Sequence, residues 1–142
     1  MGAQARSLSS LGLTARGGAN PQITGIAVDS REVKDGFLFA AMPGSRVHGA
    51  EFIQYAVRMG AAAILTDAEG AQIAADWLTD LAVVITDAPR EVLSRTAALW
   101  FGGQPEVMVA VTGTNGKTSV STFVRQIWLE MELPAITLGT TG

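Results

Sequence analysis

The eight residues TGTNGKTS, Thr112–Ser119, hold the densest chemistry of the chain: two glycines, a lysine and a row of hydroxyls behind the apolar run Val107–Val111. Gly113 and Gly116 let the backbone turn with its N–H groups pointing inward, Thr114 and Asn115 between them. A helix starting at Lys117 adds free donors and a partial positive charge at its N-terminus. The Lys117 ammonium supplies a full charge for the β and γ phosphates of a nucleotide, and the hydroxyl of Thr118, followed by Ser119, is an oxygen ligand suited to Mg²⁺. The general phosphate-loop pattern GxxxxGK[ST] asks for a first glycine where this chain has Val111, so the pattern is not met literally. A glycine-rich turn with an exposed lysine is the plainer alternative. The order strand, GTNGKTS, amphipathic helix favours the phosphate loop.

Such a loop needs a strand to deliver it and a helix to receive it. The sequence predicts a strand over Val107–Val111, a helix from Lys117 to about Met131, a turn at Pro134 and a strand over Ala135–Leu138. In the helix, Val120, Phe123, Val124, Ile127, Trp128 and Met131 recur at i, i+3, i+4 and i+7, which predicts one face packed on a sheet. One strand-helix-strand unit cannot enclose a nucleotide. The chain therefore reads as a whole first domain, 1–102, and the opening of a second, 103–142, divided at the turn-rich GGQPE, Gly102–Glu106.

Upstream, strand and helix patterns alternate, which predicts an α/β fold. Strands are expected at Ile23–Val28, Phe37–Met42, Ala61–Thr66 and Leu81–Thr86. Helices are expected at Ala50–Met59, with Gly60 as its cap, at Ala68–Trp77, and from Pro89, where Val92, Leu93, Thr96, Ala97 and Trp100 share a face. Trp77, Trp100 and Trp128 fall on apolar faces and read as core.

Composition narrows the function classes. Of 142 residues, 48% are hydrophobic and 16% charged, enough apolar material for a core and unlike a disordered tail. A net charge of −3 offers no basic field for nucleic acid or an anionic membrane. With no cysteine and one histidine, disulfide frameworks, thiolate metal sites and His-rich metal sites are excluded. No stretch has the length of a secretory signal or a membrane span, and the expectation is a cytoplasmic protein without membrane insertion.

TGTNGKTS after an apolar strand resembles the ATP loop of the Mur ligases and their folylpolyglutamate and cyanophycin synthetase relatives, in which the loop is shorter at its start. The upstream residues extend the resemblance over about residues 23 to 142. They are DSR (Asp29–Arg31), the G-x-L-F-x-A of Gly36–Ala41, the loop PGSRVHG, F-I-x-x-A from Phe52 and G-A-x-A from Gly60. This combination is similar to the N-terminal uridine-nucleotide-binding domain of the branch that adds the third residue of the peptidoglycan stem peptide. The sibling branch that adds D-alanyl-D-alanine shares the DSR domain but usually reads TGS in place of TGTN. A uridine-nucleotide-binding module without catalysis is the third alternative.

The resemblance implies that Val28, Ser30, Ser45, Arg46 and Val47 border the uridine diphosphate, and that Gly113–Ser119 bind ATP with Lys117 catalytic and Thr118 on Mg²⁺. It further implies ATP-dependent amide formation on UDP-N-acetylmuramoyl-L-alanyl-D-glutamate through an acyl phosphate. The attacking amine belongs to a diamino acid, meso-diaminopimelate before L-lysine, and the enzyme acts as a monomer. Further magnesium ligands, a modified lysine and the amino-acid-binding domain are expected beyond Gly142, so that the 142 residues alone do not complete the reaction. On local chemistry, Asp29–Arg31 reads equally well as a capped turn with a surface arginine. His48 stands where the family commonly has Asp before the glycine. A substrate contact is the functional alternative, but His48 reads rather as a solvated loop residue, with no acid-base partner nearby in sequence.

Overall fold

The computed structural model describes residues 4–139. The chain forms two compact units, Met1–Gln104 and Pro105–Gly142.

The first unit is built on four parallel strands, β3 (Gly25–Ala27), β4 (Phe37–Ala40), β5 (Ala63–Thr66) and β6 (Ala82–Ile85), which lie side by side in that order. Before them, β1 (Arg6–Ser7) and β2 (Gln22–Ile23) form a separate antiparallel pair. The single strand expected over Ile23–Val28 is thus divided. Thr24 is the break: its N–H donates to Gly36 O at 2.9 Å and its hydroxyl to Asp35 O at 2.7 Å, which sends Ile23 to one sheet and Gly25 to the other. Val28 lies just past the end of β3.

Strand β4 shows how the sequence makes two cores. Side chains alternate across a strand, so Leu38 and Ala40 pack on one face with Leu8, Leu11, Ile23, Leu65 and Val84. Phe39 and Ala41 pack on the other with Val33, Ile53, Ala56 and Ile64. Every residue of β5 is buried. A parallel sheet covered on both faces has this near-continuous apolar sequence.

The first face is covered by α3 (Pro89–Phe101), from which Val92, Leu93 and Trp100 pack inward and Thr96 is buried. Pro89 opens the helix at its first turn, where a missing N–H costs nothing. The second face is covered by α1 (Ile53–Arg58) through Ile53 and Ala56. The helix expected from Ala50 begins as a 3-10 turn, Gly49–Phe52, before becoming α1. Likewise α2 is Ala68–Ile73 and a 3-10 turn, Ala75–Trp77, follows it. Because α2 ends early, Trp77 does not share its apolar face. It is 41% exposed, with the Arg58 guanidinium 5.9 Å from its ring centroid, and is not the core residue its sequence position predicts.

Among its described residues the second unit holds one helix, α4 (Lys117–Glu130). Val107–Val111 and Ala135–Leu138, expected as strands, have no ladder partner among the described residues and are not strands. A strand is defined by its neighbour, and an apolar run does not supply one. For the same reason the apolar side of α4 is not packed on a sheet: Val120, Phe123, Ile127 and Met131 are exposed, and Val124 and Trp128 are only half-buried.

Candidate functional site

Because all four strands of the first sheet are parallel, their carboxyl ends share one edge. In open α/β sheets ligands bind at that edge. Val28 and Ser30 follow β3, and Ser45, Arg46 and Val47 follow the adjacent β4, so all five predicted uridine residues lie at the same end of neighbouring strands. Val28 is 60% exposed, whereas Ser30 is buried at the start of the 3-10 turn Ser30–Glu32.

Asp29 caps that turn, its Oδ1 accepting the Arg31 N–H at 2.9 Å. Arg31 Nε also donates to Asp29 Oδ1 at 2.9 Å, and its Nη2 donates to Oδ2. The side-chain hydrogen bonds from Arg31, then its backbone N–H, lower the Asp29 pKa to about 2. The cap and the surface arginine are therefore both present, and the pair neutralises itself.

Ser45, Arg46 and Val47 are exposed bends in a loop whose ends are fixed. Gly49 N donates to Met42 O at 2.8 Å, closing the loop. Arg90, near the start of α3, donates from Nη2 to Pro43 O at 2.6 Å. Sequence reasoning missed Arg90, and no local signal marks it: the contact exists only because α3 starts at the edge where β4 ends. Arg46 makes no hydrogen bond or ion pair among the described residues, which leaves its guanidinium available to fork onto a diphosphate.

His48 departs from its sequence reading. Its side chain is 9% exposed, Nδ1 accepts the Ala50 N–H at 3.0 Å, and Nε2 lies 3.1 Å from Asp67 Oδ1. It is a helix-capping residue with a carboxylate partner, not a solvated loop residue. Asp67 caps α2 through the Gly70 N–H at 2.8 Å. A cap at Asp67 is legible as an Asp before a helix start. Its pairing with His48 is not.

In the second unit, Gly113–Asn115 form a bend and Gly116 precedes α4 in the left-handed region at φ 76°, a conformation in which a larger residue is strained. No side chain caps α4, so its first N–H groups stay free for an anion. Lys117 Nζ folds back over the bend and donates to Gly113 O, with Thr114 O 3.5 Å away. Ser121 and Thr122 turn their hydroxyls to the Thr118 main-chain O, at 2.9 and 2.8 Å. Free N–H donors, one cation and one hydroxyl fit the phosphate end of a nucleotide. No group of three or more His, Asp or Glu residues among those described is placed to hold a metal.

The profile of the family described as "Mur ligase family, catalytic domain" matches residues 22–100. This range contains the parallel sheet and its carboxyl-edge loops, and the TGTNGKTS loop lies outside it. The chain belongs to the Mur ligase family. It is 50% identical over 123 residues to the UDP-N-acetylmuramoyl-L-alanyl-D-glutamate--2,6-diaminopimelate ligase of Brucella melitensis, covering 85% of this chain and 24% of that protein. The ligase of the same name from Rhizobium meliloti is 46% identical, over 87% of this chain and 24% of the relative. The chain thus spans about a quarter of the length of the curated relatives it matches. Among solved structures, the MurF ligase of Thermotoga maritima in complex with ADP superposes with a TM-score of 0.58 at 26% identity, over 74% of this chain and 23% of that one. A MurF structure from Acinetobacter baumannii has a TM-score of 0.67 at 22% identity, over 99% of this chain and 31% of that one, and shows a shared fold.

Proposed function

We propose that this chain is the uridine-nucleotide-binding domain and the start of the ATP-binding domain, divided near Gly102, of a cytoplasmic ligase. That ligase joins 2,6-diaminopimelate to UDP-N-acetylmuramoyl-L-alanyl-D-glutamate in peptidoglycan synthesis. The observation that carries this reading is the 50% identity to a ligase of that name across 85% of the chain. The sibling D-alanyl-D-alanine-adding reading has the shared DSR stretch and structural neighbours at 20–26% identity behind it, and the 50% identity favours the diaminopimelate-adding reading.

In this reading Val28, Ser30 and Ser45–Val47 bind the uridine diphosphate, with Arg46 on the phosphates. ATP supplies the phosphoryl group that activates the substrate carboxylate. The N–H groups of Gly113–Ser119 orient its phosphates, and the Lys117 ammonium lies where their charge grows. Such fixed charge aimed at a transferring phosphoryl group is the main catalytic lever in this chemistry. The Thr118 hydroxyl would hold Mg²⁺, whose charge would offset that of the phosphates.

The test is a chimera in which this chain replaces the matching quarter of the Brucella melitensis ligase. It is expected to form the tripeptide product with ATP and 2,6-diaminopimelate, and Lys117→Ala and Lys117→Arg are each expected to lower turnover at least ~100-fold. A folded Lys117→Ala chimera that turns over at the parent rate would remove the phosphate-loop assignment and the enzyme class with it.

A further inference from the structure

We propose that the His48–Asp67 pair is a positioning device for the loop Ser45–Val47, fixing it through one imidazole that bonds two elements at once. The functional half of this statement rests on the reading of that loop as a nucleotide contact. His48 follows Val47 directly, yet its side chain is only 9% exposed while Ser45, Arg46 and Val47 are exposed. Its Nδ1 accepts the Ala50 N–H, so that atom carries no proton. The neutral ring then holds its proton on Nε2 and donates it to Asp67 Oδ1 at 3.1 Å. The same oxygen accepts the Gly70 N–H at 2.8 Å.

The result is one continuous run of hydrogen bonds from the turn after β4 to the helix after β5. Gly70 makes room for it: a Cβ there would lie 2.7 Å from His48 Cε1 and 2.1 Å from Thr66 Oγ1, and that hydroxyl is itself bonded to Ala41 O. An Asp or Asn at position 48 has one reach and can serve the Ala50 N–H alone. The imidazole has a second nitrogen on its far side, which an Asp or Asn side chain lacks. With Arg90 on Pro43 O, both ends of the loop are anchored from other elements while its tip stays free for a ligand. Pre-organisation of this kind lowers the ordering cost of binding.

The tautomer is the first readout: the imidazole ¹⁵N spectrum of the neutral ring should show Nε2–H, and an Nδ1–H ring would overturn the proposal. His48→Asn keeps the cap and loses the reach to Asp67, while Asp67→Asn keeps an acceptor oxygen. His48→Asn should speed amide exchange at Arg46 and Val47 roughly tenfold and weaken binding of UDP ~3–10-fold. Asp67→Asn should leave both near the parent, and Asp67→Ala added to His48→Asn should worsen neither. Parent-like loop exchange in His48→Asn would reduce the pair to a structural cap and sink the idea. Should UDP fail to bind the parent while loop exchange responds as stated, the nucleotide reading falls and the positioning role stands.

Discussion

The carboxylate of Asp29 meets three donors from one residue, and this holds it near pKa 2 against an ordinary 3.8. A depressed pKa means that the folded state favours the ionised form. The stabilisation is complete above about pH 4 and is lost as pH falls through about 2. Acid unfolding of Asp29→Asn should therefore converge on the parent curve towards pH 2 and separate from it above pH 4; a constant separation across that window would show that the charge is not responsible. Arg31 is committed to Asp29, whereas Arg46 in the Ser45–Val47 loop has no carboxylate partner among the described residues. Calorimetry with UDP-N-acetylmuramoyl dipeptide should show Arg46→Ala binding more weakly by about 1.5–3 kcal/mol, the value of a hydrogen bond to a charged group. Unchanged affinity would take Arg46 out of the site.

At the scale of elements, β4 and β5 carry the unit because each is paired on both sides and covered on both faces. Phe39 is 1% exposed, and Phe39→Ala should cost about 3–5 kcal/mol in urea unfolding. A loss below ~1 kcal/mol would mean that the second face is not packed as described. Thr66→Val keeps the shape and removes the donor to Ala41 O, so a cost of about 1–3 kcal/mol is expected by the same measurement, and none if water replaces the bond. These strands were legible because their apolar runs are bounded by turn residues, and α3 was legible because Pro89 marks its first turn. The division at Thr24 was not, since it depends on Asp35 and Gly36 arriving beside it. His48 and Asp67 are nineteen residues apart and meet only once β4 and β5 pair. In the other unit, glycine spacing announced the bend and α4, but the expected strands failed because apolar sequence gives a tendency to pair and not a partner.

For the whole molecule, the two units differ in what protects their backbones. The first buries both faces of its sheet, whereas no residue of α4 is buried. A helix of 14 residues has little stability from propensity alone. Amide hydrogen exchange should be slowest in β4 and β5 and fastest among regular elements in α4; exchange in α4 as slow as in β5 would contradict this account. Strands β3, β4, β5 and β6 lie in space in the order in which they are synthesised. None has to insert between two neighbours already paired. As the chain leaves the ribosome, each new strand can add to the edge of the strand made before it, with α1 laid down between β4 and β5 on the way. Nascent chains halted just beyond Thr66 should already protect the amides of β4, whereas protection that waits for β6 would mean that the sheet closes in one step.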